Sequence, residues 1–260
     1  MTAPRERLVR GAVVMAIIAA LAIVISLAPG EIRWALAWER RDLFLTGLRL
    51  TVVISSGAVV IGLIFGVIAA LFRVSRSVAL DQIGRTYVEV VRGTPFLVQL
   101  YLWYWCIAQA LQLHDLFGTR EAAIVGAIGL GVFGGAYIAE VVRGAIESID
   151  RGQWEAARSL GLSHAQALRH VVLPQCARRL LPPLTGEAVS IVKESSLLSI
   201  IGVAEITYHA KNLQAREYET WAAFICLAAL YLVVTLPLTL LTRRMERRIA
   251  GVEPLPVARL

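Results

Sequence analysis

Six apolar runs, each followed by a shorter polar connection, organise the 260-residue chain. They cover Gly11–Leu27, Leu48–Phe72, Phe96–Leu113, Ala122–Val142, Leu184–Ala204 and Trp221–Leu241. A run of roughly 18 or more apolar residues crosses the hydrocarbon core of a bilayer as a helix. In lipid only helices and closed barrels satisfy their backbone polar groups, and the period-two alternation of barrel strands is absent here. The pattern therefore predicts an all-α integral membrane protein with about six transmembrane helices. The longest polar connection, at about 150–175, reads as helix, turn, helix. Asp150 caps a first helix, with Gln153 as its capping-box partner. Gly161 ends that helix in the left-handed conformation. Ser163 starts a second helix with Gln166 three residues on, and Leu173–Pro174 closes it, because proline disfavours helical geometry in the residue before it.

The other connections are brief. "EIRWALAWERR" places Trp34 and Trp38 one turn apart beside charges, as in a short amphipathic helix at a membrane interface. No extramembrane stretch is long enough to fold alone. The chain divides into an N-terminal anchor and interfacial segment (1–42), a transmembrane domain (43–245) and a tail (246–260). The start, "MTAPRERLVR" before an apolar run and "SLAPG", resembles a secretory signal with a small-x-small site at Ser26–Ala28. The run exceeds the usual signal core of roughly 7–15 residues, and Pro29 would directly follow the cut, so a retained anchor is expected.

Composition agrees with the pattern: 57% of the residues are hydrophobic and 17% charged, against about 25% charged in soluble domains. The net charge of +7 would suit anionic partners, but its distribution points elsewhere. With the N-terminus inside, one compartment receives Arg5, Arg7 and Arg10, then Arg73, Arg76, Arg85 and Arg92. It also receives Arg143, Arg151, Arg158, Arg169, Arg178 and Arg179, and in the tail Arg243, Arg244, Arg247, Arg248 and Arg259. This is the positive-inside asymmetry, with both termini cytoplasmic; the charge reports orientation and not nucleic-acid binding. Cys106, Cys176 and Cys226 are isolated and suggest neither a disulfide framework nor a metal site.

Candidate chemistry lies where polar groups enter the apolar runs. Lys193 and Glu194 sit inside the fifth run, where each charge costs about 2.5–3.5 kcal/mol. Glu187, Ser190 and Glu194 share one helix face. Ser195 and Ser196 follow, at a place where the helix can open locally. Hydroxyls and freed backbone groups at such a break suit a zwitterionic ligand. Gln99 and Tyr137 can face the same cavity, or all of these residues can bond neighbouring helices. "EVVRG" occurs at Glu89–Gly93 and again at Glu140–Gly144, where Glu and Arg are spaced to pair. Gly129, Gly131 and Gly134 fit a dinucleotide-binding string, but that motif needs a strand before it. Glycines four apart, Gly62 with Gly66 and Gly131 with Gly135, instead permit close helix packing. The chain has two lysines, Lys193 and Lys211, and neither closes a phosphate-binding loop. A pump built on this chain takes its energy from a partner.

Glu155-Ala156-Ala157, followed by Gly161, Val171, Leu173 and Pro174, resembles the EAA loop of the permease subunits of ATP-binding-cassette importers. Val171 stands where isoleucine is usual. "YVEVVRGTPFLVQLYLWY", "AYIAEVVRGAIESIDRGQWEAARSLGLS" and "KESSLLSIIGVAEIT" look like the polar amino acid permeases among them, over about Leu43 to Arg244. The resemblance implies a five-span type I importer core, to which the first run adds an N-terminal helix. It implies that Glu155, Ala156, Ala157 and Gly161 couple the permease to its ATPase, the first helix of the loop docking in a cleft of that subunit. It implies, as partners, two ATPase subunits, a second permease (identical or homologous) and an extracytoplasmic amino-acid-binding protein, in a bacterial inner membrane. ATP would stay on the partners, with no cofactor held by this chain. An ion-coupled secondary transporter using Glu194 leaves the capped helix pair without a purpose. A membrane scaffold leaves Lys193 and Glu194 unexplained.

Overall fold

The computed structural model describes residues 31–250 and four isolated positions before them, 15, 19, 23 and 26. Apart from those four, the predicted run Gly11–Leu27 lies outside the described residues, as does the tail beyond 250. Every regular element among the described residues is helical. Helix α1 (Trp34–Glu39) leaves both tryptophans exposed, and the Arg41 guanidinium lies 5.1 Å over the Trp38 ring. Helix α2 (Arg41–Arg73) has 33 residues. At 1.5 Å per residue it is about 50 Å long, longer than the ~30 Å hydrocarbon core, so its ends reach past the lipid tails.

The next span is built in pieces. Amphipathic α3 (Val78–Arg92) and short α4 (Phe96–Tyr101) meet at a break over Gly93–Pro95, and a π-helical stretch, Leu102–Ala108, completes the apolar segment. Helix α5 (Leu113–Phe117) and a 3-10 turn then lead into α6 (Glu121–Glu147). The polar connection forms α7 (Arg151–Ser159) and α8 (His164–Ala167). After these come α9 (Leu173–Glu194), a 3-10 segment over Ser195–Ile201, α10 (Ile206–Glu217) and α11 (Thr220–Ala250). Among the described residues, three segments are long and apolar enough to cross a membrane: α2, Leu113–Glu147 and Thr220–Glu246. They contain the predicted second, fourth and sixth runs.

Two expectations need correction. Leu173–Pro174 does not close the second helix of the pair. A π-helical turn over Leu168–Val172 carries α8 straight into α9. Pro174 occupies the first turn of α9, directly after that π-helical turn, and the chain stays helical through it. The fifth run is likewise not one helix over Leu184–Ala204. Its α-helix begins eleven positions earlier, at Leu173, and tightens to 3-10 at Ser195 before a left-handed Gly202 (φ 85°) ends it.

The core sits where α2 meets α6. A Cβ on Gly62 would stand 3.1 Å from the Gly131 carbonyl oxygen, and one on Gly131 would stand 2.6 Å from Cβ of Ile61. Gly66 and Gly135 are equally confined, so the backbones touch through the glycine pairs as their spacing predicts. Around this contact Ala58, Leu100, Leu130, Ile138 and Leu198 are fully buried. Tyr87 of α3 donates its hydroxyl to the Val132 carbonyl at 2.6 Å. Helix α11, by contrast, exposes Leu232, Val233, Leu236 and Leu240, an apolar face suited to lipid or another membrane helix.

Candidate coupling hairpin and translocation site

The helix pair is made by local chemistry. Asp150 Oδ1 accepts from the Gly152 N–H at 2.7 Å and starts α7. Gly161 (φ 78°) ends it with two bonds, its own N–H to the Arg158 carbonyl at 2.9 Å and the Leu162 N–H to the Ala157 carbonyl at 3.2 Å. That pair of bonds is a Schellman motif, and it needs a residue at ease in the left-handed region. Ser163 and Gln166 form the expected reciprocal box at 3.3 and 2.8 Å. Gln153 does not serve Asp150 in that way. Its amide oxygen accepts from Gln175 Nε2 at 3.1 Å, tying α7 to the base of α9.

The EAA triplet divides between two faces. Ala157 is buried, while Glu155 and Ala156 face outward. Leu160 is 81% exposed at the turn, a single apolar knob on a polar hairpin. Trp154 and His164 stack at 4.9 Å and 15° and close the angle between the two helices. Behind them Val172 and Cys176 are fully buried, and the Cys176 thiol donates to the Ala145 carbonyl at 3.3 Å.

Above the hairpin, Glu140 of α6 gathers arginines from three helices. Arg73 of α2 pairs with it directly, Arg143 reaches it at 2.7 Å, and Arg92 of α3 comes to 4.0 Å. Of the two "EVVRG" repeats, only the second thus forms its own Glu–Arg pair. Arg92 turns away from Glu89 and places its guanidinium 5.0 Å over the Tyr137 ring. Tyr137 also packs on Phe133 at 5.2 Å.

The polar residues predicted within the spans fall into two groups. Gln99 is buried, and its amide nitrogen lies 2.7 Å from the Val91 carbonyl and 2.8 Å from Thr94 Oγ1. It braces the Gly93–Pro95 break. Ser195 is fully buried and donates to the Val192 carbonyl at 2.7 Å, and Ser190 bonds Gly186 at 3.3 Å. Glu194, Ser196 and Tyr137 are half-buried, and among the described residues their side-chain oxygens have no hydrogen-bond partner. Lys193 is exposed on the adjacent face.

One buried carboxylate was not singled out by the pattern. Glu205 is fully buried at the start of α10. It accepts from the Tyr208 N–H at 2.9 Å, from the Thr207 and Tyr231 hydroxyls at 3.1 Å each, and from Thr51 at 3.4 Å. Four donors on three helices compensate the removal of this group from water. The available signal was its position, a glutamate closing an apolar run, where the argument applied to Glu194 holds equally.

A helical membrane domain with a rigid, capped polar hairpin and unpaired polar groups within its spans defines a transport permease. Residues 62–251 match the family of binding-protein-dependent transport system inner membrane components, and the chain belongs to that family. It is 35% identical over 216 residues to the glutamine transport system permease protein GlnP of Escherichia coli (strain K12), covering 83% of this chain and 96% of that one. The probable amino-acid ABC transporter permease protein YckA of Bacillus subtilis (strain 168) is 36% identical over 197 residues, covering 75% of this chain and 84% of its own length. The octopine transport system permease protein OccM of Rhizobium radiobacter is 34% identical over 203 residues, covering 77% and 83%. Among solved structures, that of an amino acid ABC transporter with histidines aligns with a TM-score of 0.74 at 36% identity, covering 84% of this chain and all of that one. The MetNI methionine transporter, at 21% identity and a TM-score of 0.64 over 82% of this chain and 97% of that one, shares the fold.

Proposed function

We propose that this chain is the transmembrane subunit of an ATP-driven importer that carries a polar amino acid or close analogue across the bacterial inner membrane. Both termini lie in the cytoplasm. The chain pairs with a second permease and two ATPase subunits, and an extracytoplasmic binding protein delivers the substrate. It holds no nucleotide or cofactor; ATP acts on the partners. Closure of the ATPases pushes the hairpin through Glu155, Ala156 and the Gly161 turn, and the spans reopen outward.

The observation that carries this reading is the hairpin itself. Two capped helices, a glycine turn and a stacked Trp154–His164 pair hold Leu160 clear of the protein. Leu160 stands out beside the outward-facing Glu155 and Ala156, so the hairpin presents one mixed polar and apolar face to a partner. The relatives named above are a glutamine permease, an octopine permease and a probable amino-acid permease, which supports the substrate class. In the spans, Glu194 would accept from an ammonium group, with Ser195 and Ser196 beside it at the change from α-helix to 3-10. Ser190, Gln99 and Tyr137 complete the proposed lining, Gln99 and Ser195 by shaping backbone and Tyr137 by presenting its hydroxyl.

The test is to purify the tagged chain, identify the ATPase that accompanies it, and measure ATP-dependent uptake of a panel of labelled amino acids in proteoliposomes. Uptake of one polar amino acid with a co-purifying ATPase is expected. Glu194→Gln removes a charge-assisted bond, so the half-maximal substrate concentration should rise roughly tenfold. A tagged chain that brings down no ATPase would overturn the functional reading. An unchanged Gln variant would remove Glu194 from the site alone.

A further inference from the structure

The polypeptide joins the hairpin to two spanning helices, α6 before it and α9 after it. Any grip on the cytoplasm-side end of α2 must pass through side chains. His164 stands where such a grip would be. Its ring is held against Trp154, and its Nε2 lies 3.4 Å from the carbonyl oxygen of Val74. Val74 is the residue that caps the C-terminus of α2. The last carbonyls of a helix have no donor from their own helix, and they form the negative end of its dipole. An imidazole N–H arriving from another element satisfies one of them. Among the described residues it is the one hydrogen bond between residues 150–172 and α2.

The end of α2 is in turn linked to its neighbours. Arg73, one residue before Val74, pairs with Glu140 of α6, and Glu140 also holds Arg143 and approaches Arg92 of α3. Helix α3 lies so close that a Cβ on Gly84 would stand 2.9 Å from the Ala69 carbonyl oxygen. The last glycine contact between α2 and α6 is at Gly66. Beyond it, about the last two turns of α2 meet their neighbours through side chains, Ala69 clustering with Ala139 of α6 and Val88 of α3, and they end at Val74.

We propose that His164 is the positioning residue through which the hairpin holds α2. The Trp154 stack orients the ring, and Nε2–H donates to the Val74 carbonyl. A push on the hairpin then tilts α2 together with α6 and α9, in place of sliding the hairpin beneath it. The assignment rests on the reading that this hairpin docks an ATPase.

Two substitutions test it in the reconstituted complex, with the co-purified ATPase and the amino acid found in the uptake panel. His164→Phe keeps an aromatic ring on Trp154 and removes the donor, so the fold is retained. His164→Gln returns a donor without the ring. The quantity to measure is substrate transported per ATP hydrolysed, which a loss of general stability would not change. With Phe the ATPase should still co-purify and hydrolyse ATP, while transport per ATP falls roughly fivefold, the weight of one net hydrogen bond. Gln should recover at least half of that loss. Wild-type transport per ATP in the Phe variant would overturn the proposal. So would loss of the ATPase from that variant, which would make His164 part of the docking surface. Failure of the wild-type chain to retain any ATPase would remove the underlying reading instead.

Discussion

Gly66→Ala adds one methyl group where α2 meets α6. Its Cβ would stand 2.6 Å from Cγ2 and 2.7 Å from Cβ of Ile138, and 2.8 Å from the Gly135 carbonyl oxygen. Relaxed carbon contacts are at about 3.5–4.0 Å, so the overlap approaches one ångström. Neither obstacle can swing away: one is a branched side chain at its root, 1% exposed, and the other is backbone. The helices must part. Overpacking of this kind costs about 1–3 kcal/mol, and in lipid close packing is itself a main source of helix association. Alanine offsets part of this, since it is better than glycine in a helix by about 0.5–1 kcal/mol. Gly57→Ala makes the same chemical change in the same helix with nothing within 4 Å. Comparing the two variants therefore isolates packing from propensity. A difference of about 1–3 kcal/mol corresponds to melting roughly 2–12 °C lower for Gly66→Ala. Thermal unfolding followed by tryptophan fluorescence in detergent measures it. A Gly66→Ala variant that melts at or above Gly57→Ala would refute the claim that the α2–α6 contact is glycine-limited.

Three further outcomes are expected. Gly161→Val forces a β-branched residue to φ 78°, which costs roughly 1–2 kcal/mol or more; uptake by the complex should be lost, should survive in Gly161→Asn, and unchanged uptake with Val would remove the turn from coupling. Glu205→Ala removes the acceptor of the Tyr208 N–H and of the Thr207 and Tyr231 hydroxyls, while Thr51 keeps the Gly47 carbonyl at 3.0 Å, so stability in detergent should fall by about 3 kcal/mol, and Tyr231→Phe by about 1 kcal/mol; equal losses in the two would show that the carboxylate is not the centre of the network. In a variant with the native cysteines replaced, Leu160→Cys should react in intact cells only with a membrane-permeant maleimide, whereas Tyr218→Cys, 86% exposed beyond α10, should react with an impermeant one; the reverse pattern would invert the topology.

Legibility in the sequence followed the range of the interactions. The hairpin could be read almost residue by residue, because Asp150, Gly161, Ser163 and Gln166 act on backbone groups within a few positions of themselves. The glycine pairs were legible because a spacing of four puts small residues on one helix face whatever lies opposite. What failed depended on distant partners. Gln153 had a plausible local role as a box residue, but a glutamine 22 positions away competes for it. Gln99 by its type alone suits a ligand or a neighbouring helix, and only the break at Gly93–Pro95 shows two acceptors beside its amide. Glu205 draws donors from Thr51 and Tyr231, 154 and 26 positions away, and no window along the chain contains that network. Pro174 was misread for a different reason. Proline's effect depends on its place in the helix, and the π-helical turn before it left the first turn of α9 open to it.

The helical continuity through Pro174 has a mechanical consequence. Had the second helix of the pair ended at Leu173, a flexible joint would separate the hairpin from the residues proposed to meet the substrate. Instead the backbone from His164 to Ile201 is helical throughout, passing from α to π, back to α, and then to 3-10. A displacement at Gly161 therefore enters a rod and not a loop. Pro174 removes one backbone bond near the start of the rod, and Pro182–Pro183 remove two in succession, since neither residue has the N–H that would bond the preceding turn. Thr185 donates its hydroxyl to the Leu181 carbonyl at 2.8 Å just beyond them, so it does not make good the bonds missing at 178 and 179. Helices bend most easily at such points. Glu194 and Ser196 lie about three turns past the prolines. Under the proposed function, the hairpin then drives the cytoplasmic half of α9 directly, and the prolines set how much of that motion becomes a change of angle at the 3-10 segment. The division puts the stiff stretch on the ATPase side and the compliant one just before the substrate, which is where a small push can open one side of a cavity without moving the whole span.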